Sequence, residues 1–147
     1  MIASVSGVVR ALRNGAVVIE VGGVGLLVHL PARVAAGLSV GTSASLHTTM
    51  VVREDALTLY GFETNTDREI FELLQTVTGI GPKVAQSALS IYESAELVSA
   101  ISNEQAEVLE RIPGLGKKGA QRVVLELKDK VVGFDASPIS QGISSWR

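Results

Sequence analysis

Two rhythms divide the chain. From Met1 to Phe62, apolar and β-branched positions come in short runs broken by turn residues, as strands do. Val5 to Leu12 runs into Arg13-Asn14-Gly15, Val17 to Val21 into Gly22-Gly23, and Val24 to Leu30 into Pro31. Asn-Gly is the strongest short hairpin signal, because both residues tolerate positive φ. A three-strand meander is therefore predicted. Pro31 to Leu38 reads as one short helical turn or a loop, and Ala44 to Arg53 and Ala56 to Phe62 are two further strands around Glu54-Asp55.

At Glu63-Thr64-Asn65 the apolar period changes from two to 3.6. Thr66-x-x-Glu69 has the form of a capping box, and Ile70, Phe71, Leu73, Leu74 and Val77 make one helical stripe. Ser94 and Ser102 are predicted N-caps of two short helices, the second supported by Gln105 three residues on. Leu109 and Ile112 lead into a last helix expected to end near Val132-Gly133 with glycine as its C-cap. The predicted fold class is thus α+β, mainly β and then all-α. Five strands with glycine at the bends suit a closed OB-type barrel better than an open sheet with exposed edges, a sandwich being the competitor. Domains are expected at 1–63 (barrel), 64–133 (five helices) and 134–147, a flexible tail without apolar period.

The helical half contains a repeat. Val77-Thr78-Gly79-Ile80-Gly81-Pro82-Lys83-Val84-Ala85-Gln86 returns as Ile112-Pro113-Gly114-Leu115-Gly116-Lys117-Lys118-Gly119-Ala120-Gln121, with lysine at the same offset. Each copy reads as helix, tight Gly-x-Gly turn, helix. Glycine permits positive φ and lets backbone amides approach a ligand closely, and the first-turn N–H groups of the following helix lack intrahelical partners at the positive end of its dipole. Phosphate suits such a place. A bare αα-hairpin would explain one copy; a repeat with its lysine retained is harder to produce by accident. Both copies resemble the helix-hairpin-helix motif, which grips the DNA backbone through amides and lysines without reading bases.

Composition narrows the choice. A 147-residue chain with 46% hydrophobic residues has ample core, and mean hydropathy of +0.34 leaves a surplus that fits a subunit interface. No apolar run approaches the roughly 20 residues of a membrane helix, and no basic stretch followed by an apolar core opens the chain, so no membrane association and a cytoplasmic location are expected. With no cysteine, there is neither disulfide framework nor thiolate chemistry. His29 and His47 stand far apart in strand-like sequence, so no metal site and no cofactor are expected. The net charge of −2 excludes a uniformly basic DNA binder. Its distribution does not: Lys117, Lys118, Arg122, Lys128 and Lys130 gather around the second hairpin, while Glu93, Glu96, Glu104, Glu107 and Glu110 occupy the segments between the hairpins. Expected DNA-binding residues are Gly79, Gly81, Lys83, Gly114, Gly116, Lys117, Lys118 and Arg122. No nucleophile or carboxylate cluster is evident: Glu54-Asp55 is one adjacent pair, whose side chains in a strand would face opposite ways. Catalytic residues are therefore not expected, although ligases, glycosylases and nucleases also carry such hairpins. A generic duplex-binding module or adaptor of a repair enzyme remains the alternative.

In family order, Gly22-Gly23-Val24-Gly25 to His29-Leu30-Pro31, Val51-Val52-Arg53-Glu54-Asp55-Ala56, Leu59-Tyr60-Gly61-Phe62 and the two hairpins resemble the RuvA family of Holliday-junction-binding proteins. The resemblance implies a homotetramer, one or two per junction, whose basic face holds four-way junction DNA open. It also implies a hexameric motor ATPase, RuvB, as partner in branch migration, and an acidic pin matching Glu54 and Asp55. That family continues through a linker into a third helical domain that contacts the motor. This sequence stops at Arg147, within the expected linker, so a truncated form or loss of the motor-dependent activity is expected.

Overall fold

A computed structural model describes residues 1–134; the expected tail at 134–147 lies almost wholly outside them. The chain divides into two compact units, parted between Arg68 and Glu69.

The first unit is a closed five-stranded barrel. Its strands are β1 (Ser4–Arg13), β2 (Ala16–Val21), β3 (Val24–His29), β4 (Ser43–Arg53) and β5 (Ala56–Phe62), with one short helix, α1 (Ala32–Ala36), between β3 and β4. The order around the barrel is β1-β2-β3-β5-β4. β3 and β5 run parallel and every other neighbour antiparallel. Closure removes the open edges that would invite aggregation. Two-residue connections at Asn14-Gly15, Gly22-Gly23 and Glu54-Asp55 fix the registers, with Gly15, Gly22 and Gly23 at positive φ. Alternate residues point inward, so Val9, Val17, Ile19 and Val28 are fully buried. Gly61 is required for close passage, since a Cβ there would lie 2.6 Å from Val28 Cγ1. On the outer face His47 is buried beside Arg68, and burial first, then that guanidinium, lowers its pKa. His29 packs its ring 5.6 Å from that of Tyr60.

The helices that follow are α2 (Asn65–Leu74), which crosses the division, and then α3 (Pro82–Ile91), α4 (Ser94–Ser102), α5 (Ala106–Leu109) and α6 (Gly116–Leu127). Their boundaries correct four expectations. The Thr64 hydroxyl accepts the Asp67 N–H at 3.1 Å, so α2 is capped two residues before Thr66. Ser94 is the first residue of α4 rather than its cap; Glu93 caps it through a capping box in which Glu96 Oε1 accepts the Glu93 N–H at 2.9 Å. Ser102 ends α4, and Gln105 precedes α5. The last helix stops at Leu127, where Lys130 and Val131 both donate to the Leu127 carbonyl, and Gly133 does not adopt a left-handed conformation. The turns after Leu127 keep Val131 buried without extending the helix.

Candidate nucleic-acid interface

The repeat in the sequence is a repeat in space. Gly79 and Gly114 share a φ of 88°, which an L side chain would oppose. In the first turn the Ile80 N–H donates to the Val77 carbonyl at 3.1 Å; in the second, Leu115 donates to Ile112 at 3.1 Å. Ile80 and Ile112 are buried, Leu115 is half-buried, and all three line one apolar cavity of about 10 Å³ with Leu74, Ala85, Leu109 and Val123. That space holds at most one water. The two hairpins therefore share a core.

The second glycine breaks the symmetry. Gly116 has a φ of +70°, but Gly81 is extended at φ −98° and ψ −176°. Pro82 accounts for this difference, because its ring disfavours the helical region for the residue before it and pushes that residue toward extended backbone. The expectation of positive φ at both glycines thus holds for Gly114 and Gly116 and fails for Gly81. Pro82 also removes one N–H from the first turn, leaving Lys83 and Val84 as its first-turn donors.

Capping separates these two helices from α2 and α4. Neither α3 nor α6 receives a side-chain cap or carries an acidic residue in its first turn. Instead Lys83 stands in the first turn of α3, and Lys117 and Lys118 in that of α6, all exposed and without ion pair or side-chain hydrogen bond among the described residues. Cations at the positive end of a helix dipole are locally unfavourable by about 0.3–1 kcal/mol each. An anion placed there would reverse the sign. Uncapped N–H groups and unpaired lysines converge on the chemistry of a phosphate.

Arg122 behaves differently. Its Nη1 donates to the Thr78 carbonyl at 3.1 Å, tying α6 to the opposite turn. This bond joins residues 44 apart, and no local pattern signals it. Glu54 and Asp55 are the two exposed turn residues between β4 and β5, with Arg53 paired to Ala56 behind them. They belong to no strand, so the expectation of side chains on opposite strand faces does not apply. Among the described residues no group of three or more histidine, cysteine or acidic side chains could hold a metal ion, and no helix is long and apolar enough to cross a membrane.

Residues 1–61 match the family model described as the RuvA N terminal domain, and residues 71–129 match a SAM-like helix-hairpin-helix tandem. The chain is 47% identical over 152 aligned residues to the Holliday junction branch migration complex subunit RuvA of Streptomyces coelicolor, covering 100% of this chain and 74% of that protein. The namesake from Nocardioides is 48% identical, again over the whole chain and 76% of the relative. That from Salinispora arenicola is 51% identical over 89% of this chain and 66% of the relative. The chain belongs to the RuvA family. The RuvA N-terminal match covers the barrel with its acidic turn up to the last residue but one of β5, and the tandem match contains both Gly-x-Gly turns and Arg122.

Proposed function

We propose that this RuvA-family chain is a structure-specific, non-catalytic DNA-binding subunit that takes four-way junctions. In this reading residues 1–63 form the barrel domain and residues 64–133 the tandem helix-hairpin-helix domain. Gly79, Gly81, Lys83, Gly114, Gly116, Lys117 and Lys118 grip phosphates, and Glu54 and Asp55 form an acidic pin. The observation that carries it is the pair of uncapped helix starts bearing unpaired lysines. Amides and lysines contact phosphates, which position a duplex and carry no base information. Selectivity must then come from the shape of the DNA.

A four-way junction suits a fourfold assembly, and a cytoplasmic homotetramer is the proposed form, one or two to a junction. The relatives are named as branch migration complex subunits, and the proposed partner is the motor ATPase RuvB, which would draw the arms through. Four copies would bring eight carboxylates around the centre, where they repel phosphates and keep continuous duplex out. One charge pair at about 4 Å is worth roughly 1 kcal/mol in bulk water and roughly 4 at an effective dielectric of 20, so such a ring rivals the attraction of the lysines.

Retention of labelled junction and duplex in a gel, with and without Mg²⁺, tests the reading. Retained, uncut junction supports it. Cleavage would indicate a nuclease, and no retention would indicate a protein adaptor. Light scattering should give about four times the 15.4 kDa chain mass; a monomer at micromolar concentration would contradict the assembly.

A further inference from the structure

Each hairpin's first glycine faces the other hairpin's helix. A Cβ on Gly114 would lie 3.1 Å from Val84 Cγ2 in α3, and a Cβ on Gly79 would lie 3.6 Å from Arg122 Nη1 in α6. The two approaches cross. In the repeat alignment Val84 corresponds to Gly119 and Arg122 to Ser87, so neither approach can be made by the matching residue of the other copy. The small apolar side chain of Val84 fixes one side by packing alone. The other side depends on a directional bond, Arg122 Nη1 to the Thr78 carbonyl at 3.1 Å, one residue before Gly79.

We infer that Arg122 is a positioning residue that sets the distance between the two phosphate-gripping turns, rather than a phosphate ligand in its own right. This rests on the reading of both turns as phosphate grips. Thr78 and Gly79 are exposed and Gly79 is left-handed, so the turn has little apolar packing of its own on that side. The guanidinium is planar and presents its donors in a rigid fork, which makes it a better strut than an ammonium. Phosphates along a duplex have fixed spacing, so two grips act together only when their separation matches it. Arg122 holds that separation before DNA arrives, and a grip organised in advance gives up less freedom on binding.

Affinity for a four-way junction, measured by fluorescence anisotropy over a salt series, tests this. The proteins compared are the parent, Arg122→Gln, Lys83→Glu and the double variant, each with its melting temperature. Arg122→Gln should weaken binding about tenfold, the size expected on removing a charge-assisted hydrogen bond. Its slope of log affinity against log salt should match the parent's, because every phosphate stays neutralised. Lys83→Glu should weaken binding and flatten the slope, by roughly 0.9 for each phosphate left unneutralised. The double variant should bind no worse than Lys83→Glu alone, since spacing is irrelevant once the first turn is off the backbone.

A slope reduced by roughly 0.9 or more in Arg122→Gln would make Arg122 a phosphate ligand and overturn the inference. Additive effects in the double variant, or parent-like affinity in Arg122→Gln, would overturn it as well. Should Arg122→Gln melt early, Arg122→Met fills the same helix surface and gives the same readouts. Parent-like affinity and slope in Lys83→Glu would instead bring down the phosphate-grip reading, and the inference with it.

Discussion

Replacing Lys117 by glutamate should stabilise the fold while weakening DNA binding. Lys117 is the second residue of α6, exposed and unpaired among the described residues, at a helix start that has no cap and no acidic residue. A cation there opposes the dipole by about 0.3–1 kcal/mol, and a carboxylate gains about as much, so the reversal is worth about 0.6–2 kcal/mol. For a cooperative unit of this size each kcal/mol moves the melting temperature by about 4–8 °C. Circular dichroism melts in low salt should therefore show a rise of several degrees. The rise should shrink near 1 M salt, where the Debye length falls to about 3 Å. On DNA the same change removes one neutralising charge and sets a carboxylate against the phosphate. Affinity for the junction should fall by at least about tenfold, and the salt slope should flatten by roughly 0.9 for each phosphate left unneutralised. A folded variant that melts no higher than the parent would refute the dipole effect. One that binds DNA as the parent does would refute the placement of phosphate at α6.

Two further outcomes are expected. Glu54→Gln with Asp55→Asn should leave fold and assembly intact, strengthen binding to plain duplex and narrow the preference for junctions in competition assays; if duplex binding does not improve, the pair is only a solvated hairpin tip. His47 has a folded pKa below its ordinary value because of burial and Arg68, so the unfolded chain takes up the proton first. Stability should be complete above the unfolded value of about 6.5 and fall as the pH drops below it, by up to about 1.4 kcal/mol per pH unit. Denaturant titrations from about pH 7.5 to about pH 5, spanning that value, should show a shallower fall for His47→Gln, and equal slopes for the two proteins would contradict this.

The barrel was legible because strand alternation and two-residue turns are local. Asn14-Gly15, Gly22-Gly23 and Glu54-Asp55 each stand where the predicted strands break, and the strand ends differ by one residue at most. Helix ends were less legible where two phases compete. Thr64 and Thr66 each precede an acidic residue by three positions, and nothing local chooses between them; the cap forms at Thr64. Ser94 is the better cap by residue type, yet Glu93 takes the place because Glu96 can accept its N–H. The repeated glycines located both turns, but the extended conformation of Gly81 comes from the residue that follows it. By charge alone Arg122 groups with the lysines. Its bond to Thr78 comes from packing one hairpin on the other, which residue type and spacing do not encode.

If the chain recognises the shape of DNA through its backbone, shape and not sequence must decide which DNA wins a competition. The decisive experiment sets a labelled four-way junction against a duplex of equal length and against a second junction of the same shape but unrelated sequence, repeated across a salt series. The two junctions should compete equally, both should displace duplex, and affinity should fall steeply with salt, with Lys83→Ala and Lys118→Ala weakening every sequence alike. A strong preference for one junction sequence over the other, or equal affinity for duplex and junction, would contradict recognition by shape.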